Sequence, residues 1–380
     1  MIDVISHIRL YDVGVSPRTR WLFIEIGTTS EITGLGEASL QGREIAVKEA
    51  ADRFAPSLLG LAAKPVARRM RDETLAEAAF ISAVDQALHD IAAKRESKRL
   101  VDYLGVAQRE CIPLYANINR RTIDRSPAGF AASARLALES GFTAFKLAPF
   151  DEVDEAARHA GRIVEAMQPG LDRVAAVARV IGEFDLMVDC HWRFDEISAR
   201  VLIDEGRAPG VRWVECPVPE ALEAIPVIRR LREFANDAGM RLAGCEELIG
   251  LEHNRPFAEA RAYDVMMPDV KYAGGVGEVI RLAGLLEQCS VACSPHNPSG
   301  PVAHAASLHV SAAMAHFDRL EVPFEESDLF WRLVGDSLPR FKDGHSALPE
   351  APGLGITLDR DVLASTSEQV GDWSLASAVR

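Results

Sequence analysis

From residue 111 onward the chain repeats one unit eight times: a short apolar run, in most cases followed by an Ala/Leu-rich stretch. The runs are CIPLYAN, FTAFKLA, DLMVDCH, VRWVECP, RLAGCEE, YDVMMPD, SVACSPH and RLEVPF. Apolar runs of about this length read as strands buried on both faces. Most of the gaps hold segments such as PAGFAASARLALESG or GVGEVIRLAGLLEQ, whose apolar residues recur at helical spacing. Eight such alternations predict an α/β fold of the (β/α)8 barrel type rather than an open sheet, because no dinucleotide fingerprint follows the first strand. The glycines of AGGVGEVI come at the sixth strand without the full spacing and read as a tight turn.

The segment ahead of the repeats has another character. RWLFIEIGT is β-rich, TGLGEASLQG is a turn region, and AEAAFISAVDQALHDIAAK is helical. Residues 1–110 therefore read as an α+β capping domain, residues 111–329 as the barrel, and the turn-rich residues 330–380 as a return to the cap. Lys+Arg number 42 against 56 Asp+Glu, a net charge of -14, which argues against a nucleic-acid partner. No run approaches the ~20 apolar residues of a membrane span, and MIDVISHIRL lacks a targeting pattern, so a cytoplasmic protein is expected. The six cysteines, with no C-x-x-C pair, read as reduced core thiols.

In such barrels the reacting groups stand at the C-terminal ends of strands. Here those positions carry Lys146, Asp189 with His191, Glu215, Glu246, Asp269, His296 and Glu321. Any one of these carboxylates alone reads as an ordinary salt-bridged group. Asp189, Glu215 and Glu246 at three successive strand ends form an all-oxygen ligand set that favours Mg2+, with Mn2+ as the alternative. Strand alternation sends Asp189 and His191 to one side, and turns Cys190, Cys216 and Cys245 toward the core. Asp269 beside His296 can fix the imidazole tautomer and make a general base. His304 and His309 read as helix-packing residues, and Lys271 is given no role.

The motifs FKLAPF, MVDCHWRF, WVECPVP, LAGCEELIG, MMPDVKYAGG, CSPHNPSGP and LEVPF resemble the enolase superfamily. Within it they are most similar to the mandelate racemase branch and its acid-sugar dehydratases of the galactonate dehydratase type. Asp189 and Glu215 stand 26 residues apart and Asp269 and His296 27 apart, spacings of that branch. The resemblance implies that Asp189, Glu215 and Glu246 bind Mg2+, with Glu247 as the competitor for the third place. It implies that His296, oriented by Asp269, removes the proton α to a carboxylate, that Glu321 hydrogen-bonds the enediolate, and that His191 protonates the departing β-hydroxyl. Racemases of the branch carry a second Lys where this chain has Ala148, which leaves Lys146 to neutralise the carboxylate.

Specificity in such enzymes comes from the cap closing over the barrel mouth. The segments VGVSPRTRW and QGREI are expected as lid pieces, with Arg18, Arg20 or Arg43 as contacts to a polyol or second carboxylate, and Asn119, Trp192 and Arg193 on the barrel side. The expected function is dehydration of a sugar acid, aldonate or aldarate, to a 2-keto-3-deoxy acid by a homo-oligomeric enzyme. The alternatives are a cycloisomerase or epimerase using the same enediolate, and an inactive barrel that only binds. A zinc hydrolase would need an H-x-H at the first strand, which reads CIPLYANIN.

Overall fold

A computed structural model describes residues 2–66 and 70–376. The cap is built on β1 (Ile5–Gly14), β2 (Arg20–Thr28) and β3 (Thr33–Glu37), an antiparallel sheet covered by helices α1 (Glu44–Leu58) and α2 (Leu75–Arg95). Alternate residues of β1 and β2, among them Ile8, Leu10, Ile24 and Ile26, are buried against α2, which contributes Ala79, Ala83 and Ala87. The helix lies unusually close to the sheet. A Cβ on Gly34 or Gly36 would stand 2.1 or 1.9 Å from the carbonyl oxygens of Ala87 and Ala83, so only glycine fits there.

Eight parallel strands follow: β4 (Cys111–Asn117), β5 (Ala144–Leu147), β6 (Asp185–Asp189), β7 (Val211–Glu215), β8 (Arg241–Gly244), β9 (Val265–Met266), β10 (Ala292–Cys293) and β11 (Leu320–Pro323). Each pairs with the next from β4 to β10, and β11 pairs with β4. The ring closes between β10 and β11 through a bridge of Cys293 with Phe317, where Cys293 N donates to His316 O at 3.0 Å and Asp318 N to Cys293 O at 2.9 Å. The architecture is the (β/α)8 barrel with an N-terminal cap.

Strand alternation divides the barrel wall in two. Phe145, Leu147, Val188, Val214, Leu320 and Val322 point outward into the helix layer. Tyr115, Ala144, Met187, Trp213, Ala243 and Val265 fill the interior with a separate apolar cluster. The next inward positions toward the C-terminal end are Asn117, Lys146, Asp189, Glu215 and Glu321, all buried and all polar. Along β4 to β7 the barrel interior therefore changes from apolar to polar within one inward step.

The C-terminal segment divides its pairing. Its far end, β13 (Ser367–Ser374), pairs with β1 of the cap, and Leu354 N donates to Asp90 Oδ1 of α2 at 2.8 Å, whereas β12 (His345–Ala347) pairs with the start of β4 in the barrel. No helix among the described residues is long and apolar enough to cross a membrane.

Cap and barrel are joined by buried polar contacts. Glu37, at the end of β3, accepts from Gly300 N at 2.7 Å and Ala303 N at 2.9 Å, at the N-terminus of the barrel helix Pro301–Ala313, and from Ser39 Oγ at 2.7 Å. A carboxylate there satisfies donors that the helix itself leaves open. Glu37→Ala is expected to lower stability by roughly 3 kcal/mol, because two buried N–H groups and a hydroxyl lose their acceptor. Glu37→Gln, which keeps one acceptor oxygen, should lose less. Urea midpoints measure both, and an alanine variant as stable as the parent would show that the joint is dispensable.

Candidate active site

Asp189 and Glu215 are the last residues of β6 and β7, and Glu246 lies two residues past β8. One oxygen from each lies within 4.8 Å of the others, and all three side chains are buried. Burial pushes the Glu246 carboxyl well up, and the charges of Asp189 and Glu215 push it further. Glu215 is also raised by burial, against the opposing pull of Lys146. Burial acts on Asp189 in the same sense, but the His191 charge and hydrogen bonds outweigh it and its carboxyl is lowered. Glu246 Oε2 is buried with no hydrogen-bond partner. A cation between the three carboxylates would satisfy that oxygen and relieve the repulsion, and an all-oxygen donor set suits a hard divalent ion. Cys190 and Cys245 belong to the outer core and Cys216 is fully buried, so no thiolate enters the set.

Alternation does not account for the whole arrangement. β6 ends at Asp189, and His191 and Trp192 follow with φ of 46° and 56°; Cys216 and Cys245 have φ of 43° and 71°. These left-handed residues turn the chain sharply beside each ligand. His191 thus meets Asp189 through a turn rather than through strand pleating, with Nε2 2.8 Å from Oδ2 and its backbone N–H donating to Oδ1 at 3.0 Å. Its side chain remains 41% exposed toward the cleft, and the Asp189 charge raises its pKa despite desolvation.

Lys146 Nζ stands 2.5 Å from Glu215 Oε1 and 2.9 Å from Glu321 Oε1. Burial works against its charge, but Glu215 and Glu321 hold its pKa well above the ordinary range. Two of its three N–H groups are engaged, which leaves one for the cleft it lines. Glu321 Oε1 also accepts from Asn117 Nδ2 at 2.7 Å and its Oε2 from Asn297 N at 3.0 Å, and Lys146 and His296 outweigh burial to lower its pKa. Glu321 thus accepts from Lys146, Asn117 and Asn297 and holds Lys146 in place.

Across the barrel, His296 Nδ1 lies 2.8 Å from Asp269 Oδ2, and His296 Nε2 faces the trio at 3.7 Å from Glu246 Oε2. Both residues lie three positions past their strands, on loops. The reading of the sequence gave Lys271 no role, yet it shares the same carboxylate: its Nζ is 2.6 Å from Asp269 Oδ2, its N–H donates to Oδ1 at 2.7 Å, and Nζ also bonds Ser299 Oγ. Burial would raise Asp269, but Lys271 and the His296 hydrogen bond hold it low. The D-x-K spacing was the available signal. His304 and His309 are buried in the helix after β10, bonded to Asn297 and to the Leu354 carbonyl.

A cleft of about 810 Å³ opens over these groups. Asn119, Trp192, Arg193 and Arg18 line it; Arg20 and Arg43 do not. Arg20 lies on β2, where its Nε bonds Asp12 Oδ1 at 2.6 Å, and this pairing keeps it on the cap sheet. Asn119 Oδ1 is occupied by Arg125 at 2.7 Å. Glu247 also lines the cleft, exposed, while Glu246 takes the place in the trio. Ala148 lines it too, with nothing to titrate. The sequence reading missed Arg120, Tyr272 and Glu326, although Arg120 stands in the charged NRR that directly follows the first strand.

A divalent cation at about 100 times its dissociation constant should stabilise the fold by about 2.7 kcal/mol. Glu246→Gln should remove most of that gain in thermal unfolding. Equal gains in the two proteins would place the ion elsewhere.

Comparison with known proteins agrees with this geometry. Residues 129–362 match the family described as Enolase C-terminal domain-like, and residues 11–105 match the Mandelate racemase / muconate lactonizing enzyme, N-terminal domain. A D-xylonate dehydratase of Haloferax volcanii is 27% identical over 365 residues, covering 90% of this chain and 84% of that protein. A D-galactonate dehydratase of Ralstonia pickettii is 28% identical over 374 residues, covering 93% of each. An enolase protein from Sargasso Sea environmental sequencing superposes with a TM-score of 0.80 at 26% identity, over 98% of this chain and 99% of that one. An enolase superfamily member from Salmonella Typhimurium shares the fold with a TM-score of 0.82 at 23% identity, over 98% and 100%. The chain belongs to the mandelate racemase/muconate lactonizing enzyme family of the enolase superfamily, whose members use a divalent metal.

Proposed function

We propose that this chain is a Mg2+-dependent hydro-lyase that dehydrates a sugar acid to a 2-keto-3-deoxy acid. The observation that carries the reading is the placement of two histidines on opposite sides of one acidic trio. His191 follows β6 and His296 follows β10, the third and seventh of eight strands in the ring, with the trio on the third, fourth and fifth. A substrate held over the trio then has a base on one side and an acid on the other. The curated relatives cited above are named dehydratases of D-xylonate and D-galactonate, which agrees with this chemistry.

Asp189, Glu215 and Glu246 would hold Mg2+, which supplies positive charge to the substrate carboxylate as the α-proton leaves. Asp269 accepts from Nδ1 of His296 and so leaves Nε2 with a lone pair facing the trio. That nitrogen takes the α-proton. Lys146 turns its remaining N–H to the substrate carboxylate and stabilises the enediolate. His191, its charged form favoured by Asp189, gives its proton to the β-hydroxyl as the C–O bond breaks, and water departs.

The two histidines are separable by experiment. In D2O with Mg2+ and a library of sugar acids, the parent enzyme should form a 2-keto acid detectable with semicarbazide. His296→Asn should lose both keto-acid formation and α-proton exchange, by roughly 100- to 10,000-fold. His191→Asn should lose dehydration but still exchange the α-proton into solvent. Undiminished dehydration in His191→Asn would remove that residue from the acid's role. An epimerised acid without any keto acid would replace dehydration by epimerisation.

A further inference from the structure

Outside the acidic trio the cleft carries five arginines, Arg18, Arg120, Arg121, Arg125 and Arg193, against three carboxylates, Asp151, Glu247 and Glu326. This inverts the balance of the chain, 42 Lys+Arg to 56 Asp+Glu. Three of the five have close partners. Arg125 grips Asp151 with two bonds of 2.7 and 2.8 Å, Arg121 pairs with Glu325 at 3.0 Å, and Arg193 donates to the Val153 carbonyl at 2.9 Å.

Arg18 and Arg120 differ. Among the described residues Arg18 is bonded only through its backbone N–H, to Ser16 Oγ at 3.3 Å. Arg120 has one ion pair, with Glu326 Oε2 at 3.6 Å, which is beyond hydrogen-bond length. Glu326 binds Thr19 Oγ1 through its other oxygen. One carboxylate therefore links the cap loop that carries Arg18 to the barrel loop that carries Arg120, and brings both arginines to one wall. Arg120 is near enough for its charge to act on the Tyr272 phenol, and the Tyr272 ring is 6.4 Å from that of His296. Both arginines line the same cleft as His296 and the carboxylates Asp189 and Glu246 of the trio.

We propose that Arg120, with Arg18, recognises a second carboxylate at the far end of the substrate, so that the substrates are aldarates, sugar acids ionised at both ends. This rests on the sugar-acid reading above. A guanidinium offers parallel N–H groups that match a carboxylate bidentately, whereas a terminal hydroxymethyl group would leave Arg18 without a charged acceptor and Arg120 with only its long pairing to Glu326.

Galactarate with galactonate, and xylarate with xylonate, are pairs that differ only at the far end. Their affinities can be measured by calorimetry with Mg2+ present, and their turnover by keto-acid formation. The aldarate of each pair should bind roughly 10- to 100-fold more tightly. Arg120→Met should abolish that preference, with a larger loss of affinity for the aldarate than for the aldonate of each pair, and Arg120→Lys should restore part of it. Equal affinity within each pair, or a loss in Arg120→Met that falls alike on both members, overturns the proposal. Turnover of aldonates with no aldarate preference removes this inference and leaves the dehydratase reading intact. Tight aldarate binding without keto acid does the reverse, and binding of neither class overturns both.

Discussion

Four carboxylates and one ammonium sit where the interior of this barrel changes from apolar to charged, and the ammonium of Lys146 is the contact on which the rest depends. It joins Glu215, a candidate metal ligand, to Glu321, the end of a hydrogen-bond chain through Asn117 and Asn297. Removing one partner from a buried ion pair is strongly unfavourable, because the other charge is left in a medium that solvates it poorly. Here the pair is also under-compensated. With Asp189, Glu215, Glu246 and Glu321 against one Lys, carboxylates exceed fixed cations, and burial together with the charges of Asp189 and Glu215 raises the Glu246 pKa. The same excess makes the trio a strong trap for a divalent ion.

The base is held by a comparable device with a different balance. Asp269 Oδ2 is shared by His296 Nδ1 and Lys271 Nζ, so the aspartate orients the imidazole while much of its charge is already neutralised. Lys271 is fixed in turn by Ser299, next to Gly300, whose N–H is held by Glu37 from the cap. Hydrogen bonds and one peptide link therefore connect the last residue of the cap sheet to the imidazole.

Much of this was legible in the sequence because a strand's period of two is rigid. Lys146, Asp189, Glu215 and Glu321 all lie within strands, and alternation alone turns them inward while Phe145, Val188, Val214 and Val322 face the helices. Legibility failed where the pleat stopped. His191 and Cys245 have left-handed backbones, which no alternation rule describes, and Asp269 and His296 stand on loops whose path follows from packing rather than from period. Arg20 was placed at the mouth because it stands in a lid-like segment, but its neighbour Asp12 on the adjacent strand claimed it. Arg120 was overlooked for the opposite reason, since nothing in a run of two arginines tells which one a distant glutamate leaves loosely held.

Outside the trio the cleft wall holds more arginines than carboxylates while the whole molecule is acidic, and this bears on how an anionic substrate arrives. A net charge of -14 repels a doubly charged acid at distances up to about 10 Å, the screening length in ~0.1 M salt. Within that range the arginines of the mouth dominate, because a cleft with low-dielectric walls focuses the field of the groups that line it. The surface thus discourages unspecific adhesion of anions while the mouth admits them, and a second carboxylate gains more from that local field than a hydroxyl does. These cations sit on the loops after β4 and β6 and on the cap loop between β1 and β2, whereas the acidic trio sits at or just past the strand ends, so a change of loop can alter the cations of the mouth without moving the trio.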